Sequence, residues 1–150
     1  MDKFSIAELS GRTIFNDKLI KNNSSGITFT ESKFDKVDVF WEKYDTKYVG
    51  EIKYRENYPS SGRCIVEDGA VLEKTKYDAL MEYHNLSGLT PYYIMEFNDN
   101  VMYLWDVSEL KELEWKIDNK YPRTTKGSNK KKVAKIVTYL KLDSGHKCKY

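Results

Sequence analysis

Apolar residues recur along most of the chain at either helical or alternating spacing, and each spacing predicts one type of element. A rough apolar stripe from Ser5 to Lys21 predicts a first helix. The segment 22–26, rich in Asn, Ser and Gly, predicts the end of that helix. Helical spacing returns from Val71 to Leu86, and Gly88 stands where a C-terminal cap is expected.

Segments rich in β-branched and aromatic residues predict the strands. Val37–Trp41 and Tyr48–Tyr54 flank a short polar connection and are most simply read as a β-hairpin. A turn at 98–100 predicts a second hairpin, with strands Tyr92–Phe97 and Val101–Trp105. Weaker patterns predict a strand at Ile27–Thr30, a short helix from Ser108 through Leu113, a basic loop from Tyr121 to Lys132 and a last strand at Lys135–Leu142. This order predicts a single α/β domain over residues 1–150, with a mixed central β-sheet flanked by helices.

Composition limits the class of protein. Hydrophobic residues make up 40% and charged residues 32% of the chain, which is enough for one core and too polar for a membrane protein. No run approaches the ~20 apolar residues of a spanning helix, and the start lacks the apolar segment of a signal peptide. Cys64 and Cys148 lie far apart without a CxxC pattern, so neither a disulfide framework nor a zinc site is expected. We therefore expect a cytoplasmic protein with no membrane partner.

Charge is distributed unevenly although the net charge is only +2. Residues 120–150 contain ten Lys or Arg and one acid, whereas residues 1–119 contain fifteen Lys or Arg and twenty-two acids. A basic segment of this kind suits the phosphate backbone of nucleic acid. A solvated surface that keeps the protein soluble is the alternative explanation.

A group of charged residues on the first predicted hairpin points to chemistry. Side chains alternate between the two faces of a strand, so Glu51 and Lys53 share one face. If the hairpin turns at residues 44–45, Asp38 lies opposite Glu51, with Cβ atoms ~5 Å apart. Two carboxylates this close repel each other unless a cation lies between them. Their oxygens suit Mg²⁺, for which Mn²⁺ can substitute, and the backbone carbonyl of Ile52 is a candidate third ligand.

The same triplet also has an ordinary explanation, because Glu-x-Lys occurs on strand surfaces in many proteins. Here, however, Glu51 and Lys53 interrupt an otherwise apolar strand, where an uncompensated charge is costly. A cation held by Asp38 and Glu51 could activate water and stabilise charge on a phosphodiester. This context favours a catalytic site.

Asp38, twelve intervening residues and then Glu51-Ile52-Lys53 resemble the signature of the PD-(D/E)XK nuclease superfamily. This superfamily includes restriction endonucleases and archaeal-type Holliday junction resolvases, and the resemblance covers roughly Ile6 to Trp105. It implies a restriction-endonuclease-like core in which Asp38 and Glu51 bind metal and Lys53 orients or activates the attacking water. It also implies a further basic residue on the following helix, for which Lys76 and Lys74 are the candidates.

The chain departs from this pattern at two places. Val37 stands where many members have proline. Many relatives also carry a metal-binding acid on the first helix, and no inward-facing glutamate is obvious here. The sequence leaves four candidates for that position open: Glu8, Asn16, Asp17 and Glu31.

Basic residues outside the catalytic group are candidates for phosphate contacts, which position DNA without reading its sequence. Arg55 and Arg63 follow the Glu-x-Lys strand, and Lys74 lies on the next predicted helix. The basic loop adds Arg123, Lys126, Lys130, Lys131 and Lys132.

Three functions are compatible with these patterns. The first is a Mg²⁺-dependent DNA endonuclease, with a structure-selective or Holliday junction-resolving enzyme as the attractive subclass. Such an enzyme is expected to be a homodimer, because cutting two strands symmetrically needs two active sites. A phage origin would suit it and would place it in the host cytoplasm. The alternatives are a non-catalytic nucleic-acid-binding module on a nuclease-like fold and a small interaction protein whose charges are only surface.

Overall fold

The computed structural model describes residues 5–32, 35–122 and 132–150, without the side chains of residues 120–122, 132 and 133. Its helices are α1 (Ile6–Lys21), α2 (Arg63–Asp68) and α3 (Lys74–Ser87), with 3-10 turns at Val107–Glu109 and Leu142–Ser144. Its strands are β1 (Ser25–Phe29), β2 (Val39–Lys43), β3 (Thr46–Arg55), β4 (Ala70–Glu73), β5 (Thr90–Phe97), β6 (Val101–Asp106), β7 (Lys116–Pro122), β8 (Lys132–Leu140) and β9 (His146–Lys149).

A six-stranded mixed sheet, ordered β1-β2-β3-β5-β6-β9, forms the centre of the fold. Only β3 and β5 pair in parallel within it, and α3 lies in the connection between these two strands. The other neighbours pair antiparallel, including both hairpins that the sequence predicts. The predicted α/β architecture, a mixed central sheet flanked by helices, is therefore confirmed.

Each face of the central sheet packs against a helix. On one face, Phe15 and Leu19 of α1 are buried against Trp41 and Ile94. On the other face, Leu80 of α3 belongs to a larger buried cluster that includes residues of β3, β5 and β6. Alternation along β3 and β5 supplies apolar side chains to both faces, which is why both helices can dock.

α1 begins at a capping box formed by Ser5 and Glu8. The Ser5 hydroxyl accepts from the Glu8 N–H at 3.1 Å, and the Glu8 carboxylate accepts from the Ser5 N–H at 2.7 Å. With 16 residues, α1 is the longest helix in the described ranges. None of the helices in these ranges combines the length and the apolar character needed to cross a membrane.

A second, three-stranded sheet, ordered β4-β8-β7, packs beside α3. Its first strand corrects the sequence interpretation, because residues 70–73 form β4 and the helix begins only at Lys74. Ala70 and Leu72 are fully buried while the intervening residue is not, which is strand alternation. Gly69 allows the tight entry, since a Cβ there would lie 2.4 Å from the Leu140 carbonyl oxygen. In the sequence, this short apolar run directly precedes the helical pattern of α3, so the prediction joined the two into one helix.

Five further elements differ from the sequence prediction. The predicted helix from Ser108 is only a 3-10 turn, Val107–Glu109, whose start is capped by Asp106. The last predicted strand begins earlier and ends at Leu140, and β9 follows it as an additional edge strand. α2 forms within a polar, turn-rich segment for which no helix was predicted. β7 was not predicted, and it includes residues 121 and 122 at the start of the predicted basic loop; residues 123–131 of that loop lie outside the described residues.

Candidate active site

The first hairpin brings the predicted catalytic carboxylates together. Val39 on β2 lies opposite Gly50 on β3, and the Asp38 N–H donates to the Gly50 carbonyl at 2.9 Å. One step further along this register, Asp38 faces Glu51. The turn falls at residues 44–45, which confirms the predicted hairpin register.

Both oxygens of the Asp38 carboxylate accept hydrogen bonds. Oδ2 accepts from the Ile52 N–H at 2.7 Å, and Oδ1 accepts from the Arg12 guanidinium at 3.0 Å. A backbone donor and a cation on the same carboxylate fix its orientation. Each oxygen retains a further lone pair that can bind a cation.

Arg12 is an unexpected member of the site. It extends from α1, is only 9% exposed, and donates to the carbonyl and hydroxyl oxygens of Thr30 at 2.6 and 3.0 Å. Its spacing from Phe15 and Leu19, three and seven residues, places all three on one helical face. That spacing was the signal in the sequence that an inward-facing arginine belongs here.

Glu51 lies in the interior, with 8% of its surface exposed. Lys76 of α3 contacts its Oε1 at 2.8 Å, while its Oε2 is buried and lacks a hydrogen-bond partner among the described residues. Burial raises the pKa of Glu51 to about 8, the nearby charge of Asp38 adds to this shift, and Lys76 opposes it. Lys76 thus turns inward to the site, although Leu72, which the sequence placed on the same helix, belongs to β4.

Lys53 shares the face of Glu51, two residues further along β3, and is half-buried. Burial lowers its pKa, and the positive charges of Arg55 and Lys135 lower it further, against the opposing effect of Glu73. A lowered pKa brings the amine closer to the neutral form that can accept a proton.

Glu73 and Lys135 form a third ion pair beside Lys53, and the sequence analysis missed both. The Lys135 ammonium donates to Glu73 Oε1 at 2.7 Å, linking β8 to the end of β4. Asp38, Glu51 and Glu73 are thus each paired with a cation from a different element, α1, α3 and β8 respectively. The pairing of β4 with β8 brings these two residues together, and nothing in the local sequence marks it.

Glu96 is a second buried acid that the sequence analysis missed. It is 0% exposed on β5, and both carboxylate oxygens lack a hydrogen-bond partner among the described residues. Burial raises its pKa to about 9, with a further contribution from the charge of Asp38. α1 seals it at Gly11, where a Cβ would lie 3.0 Å from Glu96 Oε1. Like Glu51, Glu96 is a charged residue within an otherwise apolar strand, so the same sequence signal marks both residues.

None of the four residues proposed from sequence for the first-helix acid places a buried carboxylate at the site. Glu8 belongs to the capping box, Asp17 and Glu31 are exposed, and Asn16 is half-buried. Across the described ranges, no group of three or more His, Cys, Asp and Glu residues is arranged to hold a metal. Asp38 and Glu51 therefore remain the acidic pair around which a metal can be considered.

This pair suits a hard divalent cation. Oε2 of Glu51 is a buried oxygen that has no hydrogen-bond partner among the described residues and is available to a cation, and Asp38 offers oxygens with spare lone pairs. Mg²⁺ commonly takes one or two protein carboxylates and completes its shell with waters and substrate phosphates. The residues present thus fit Mg²⁺ without a third acid, and the Ile52 carbonyl remains a predicted ligand.

The predicted DNA-contacting residues are spread over several surfaces. Arg63 pairs with Glu67 on the exposed α2, and Lys74 pairs with Asp78 at the start of α3, both at 2.9 Å. Arg55 follows Lys53 on the same strand face. Arg123, Lys126, Lys130 and Lys131 lie outside the described residues, as does the side chain of Lys132, the first residue of β8.

Comparison with known proteins supports the fold. No protein-family model matches this chain, and no curated protein matches it. A solved structure of Hjc, a Holliday junction resolvase from the archaeal hyperthermophile Archaeoglobus fulgidus, matches with a TM-score of 0.50 at 16% sequence identity. The match covers 70% of this chain and 79% of the resolvase chain. This chain therefore has a nuclease-like fold of the resolvase type.

Proposed function

We propose that this protein is a metal-dependent endonuclease that hydrolyses phosphodiester bonds in DNA, with Asp38, Glu51 and Lys53 as its catalytic centre. One observation carries the proposal: the buried Glu51 has an oxygen beside Asp38 that lacks a hydrogen-bond partner in the part of the chain that the structure describes. Burying an acid in that state destabilises the fold, and such a cost is expected at a functional site where the acid binds a cation. The resolvase-like fold supports the same conclusion.

The roles of the residues follow from their contacts. Asp38 and Glu51 would hold Mg²⁺ or Mn²⁺, together with the carbonyl of Ile52. When bound, the ion would supply a water of lowered pKa and charge stabilisation at the phosphate. Lys53, whose pKa is lowered, would orient the attacking water or accept its proton. Lys76 holds Glu51 in place and would stabilise negative charge developing on the phosphate.

DNA would approach along the basic residues around this centre. Arg55, Arg63 and Lys74 are the proposed phosphate contacts near the sheet, and the basic loop supplies the others: Arg123, Lys126, Lys130, Lys131 and Lys132. The resemblance to a Holliday junction resolvase makes a four-way junction the first structured substrate to examine. A resolving enzyme would act as a homodimer, with one active site for each cut strand.

A non-catalytic DNA-binding module is the second candidate. Its support is that Glu51 already pairs with Lys76, and Asp38 with Arg12, so that neither acid depends on a metal for a positive neighbour. It predicts DNA binding without hydrolysis. An interaction protein with purely surface charges would show neither property.

The test is cleavage of supercoiled plasmid, linear duplex and a four-way junction in Mg²⁺, Mn²⁺ or EDTA. Wild-type protein is compared with Glu51→Gln and Lys53→Ala, and with Glu114→Gln and Lys111→Ala as matched changes at exposed positions. We expect cleavage in either metal, none in EDTA, and a loss of at least ~100-fold in the two site variants only. Junction cleavage in preference to duplex would assign the resolving activity.

Absence of cleavage on every substrate would reject the endonuclease. Gel-shift binding of the same substrates would then favour the DNA-binding module, and absence of binding would favour the interaction protein. Cleavage that survives in both site variants would reject this catalytic centre.

A further inference from the structure

A second cluster of charged residues lies beside Lys53, where the three-stranded sheet meets the central sheet. Lys53 and Arg55 share one face of β3 because they are two residues apart. Lys135 of β8 pairs with Glu73 at 2.7 Å. Arg55, Glu73 and Lys135 all lie near enough to Lys53 to interact with it electrostatically.

Positive charge exceeds negative charge in this cluster. Lys53, Arg55 and Lys135 face Glu73, while Glu51 is already engaged by Lys76. Cations gathered in a partly buried place are stabilised when an anion joins them.

Arg55 adds an independent observation that points to a ligand. Its Nε is buried and has no hydrogen-bond partner among the described residues. Buried donors are almost always satisfied in folded proteins, and an unsatisfied one calls for an explanation. A guanidinium edge is well suited to the oxygens of a phosphate.

We propose that Arg55 and Lys135 bind a backbone phosphate of DNA beside Lys53, and that Glu73 holds this place with its carboxylate until DNA binds. This inference rests on the proposed function, in that DNA is taken as the substrate. It adds a phosphate subsite contributed by the three-stranded sheet and a residue, Glu73, that competes with DNA for it.

The exchange is feasible because both partners reach solvent. The side chains of Lys135 and Glu73 are 34% and 31% exposed, so the carboxylate can turn outward while the ammonium remains in place. Lys135 then exchanges one anion for another and keeps an ion pair throughout. Glu73 stands at the junction of β4 and α3, where outward rotation of its side chain breaks no backbone pairing.

The test is DNA binding in EDTA, where hydrolysis is blocked, measured by fluorescence anisotropy on duplex and four-way junction over a range of KCl concentrations. The variants are Lys135→Gln and Glu73→Gln, with Lys135→Arg to restore the charge. The controls are Lys141→Gln and Glu114→Gln, at exposed positions away from the cluster. Thermal unfolding of each variant checks that the fold is retained.

The two variants are expected to act in opposite directions. Lys135→Gln should weaken binding on the order of fivefold and reduce the slope of log affinity against log salt by about one. Glu73→Gln should strengthen binding by a similar factor, because the competing carboxylate is gone. Lys135→Arg should bind like the wild type, since it keeps the positive charge.

A purely structural ion pair would give a different result. It predicts that both variants weaken binding together with stability, or leave binding unchanged, and either result would overturn the subsite. Cleavage by the wild type in Mg²⁺, measured on the same preparations, separates the two proposals. Cleavage without opposite effects rejects the subsite alone, opposite effects without cleavage reject only the endonuclease, and no DNA binding at all rejects both.

Discussion

Replacing Glu96 by glutamine gives a quantitative test of how far burial beneath α1 raises the pKa of this acid. The pKa of this buried acid is raised from 4.5 to about 9. Between these two values the folded protein keeps the proton and the unfolded chain releases it. Since the folded state binds more protons, the free energy of unfolding falls as pH rises through this range.

The magnitude follows from the width of the pH interval. One proton per molecule changes the free energy of unfolding by ~1.4 kcal/mol per pH unit, so from pH 5.5 to 7.5 the loss is about 3 kcal/mol. Glutamine has nearly the same shape and does not ionise. The variant should therefore gain about 3 kcal/mol relative to wild type over this interval. Any cost of burying the amide is independent of pH and leaves the slope unchanged.

Urea unfolding of wild type and Glu96→Gln at several pH values between these limits measures the difference directly. Other acids titrate in both proteins and cancel in the comparison. Glu114→Gln, at an exposed position, serves as the control and should show a difference from wild type that is constant with pH. A constant difference for Glu96→Gln as well would refute the assignment of Glu96 as a buried, neutral acid.

Three further substitutions test other contacts of the site. Arg12→Gln should destabilise the protein by about 3 kcal/mol in urea unfolding, because Asp38 loses its buried cation, and stability unchanged from wild type would contradict this. Gly11→Ala should cost about 1–3 kcal/mol in the same assay, because the new Cβ would lie 3.0 Å from a buried carboxylate oxygen. A gain, as expected for alanine on an open helix face, would contradict that contact. Lys76→Met should reduce cleavage more at pH 7 than at pH 9, because loss of the ammonium raises the pKa of Glu51 above about 8 and removes a larger share of its ionised form at pH 7 than at pH 9. Equal reduction at both pH values would contradict this role.

The sequence contained enough local information to predict the central hairpins. Alternation along β3 put Glu51 and Lys53 on one face, and the polar connection at 44–45 fixed the register opposite Asp38. The predicted start of the helix at Val71 was wrong because a short apolar run before a helix fits both the strand period and the helix period. Tertiary pairing with β8 decided it.

Residues that reach the site from distant elements were harder to find. Arg12 and Glu96 carried signals, an inward helical spacing and a charge in an apolar strand, that the sequence interpretation did not use. Glu73 and Lys135 carried no such signal, because these two residues are 62 positions apart in the chain and meet only through the pairing of β4 with β8. Long-range pairing of this kind cannot be read from periodicity.

The most direct test of the proposed endonuclease is whether nicking activity belongs to this protein and depends on Glu51. Wild type and Glu51→Gln are purified identically, and supercoiled-plasmid nicking in Mg²⁺ is measured across the fractions of a final sizing column. We predict that nicking follows the wild-type protein peak and is lost at least ~100-fold from the folded variant. Nicking that separates from the protein peak, or that is equal in the two preparations, would contradict a catalytic centre at Asp38, Glu51 and Lys53.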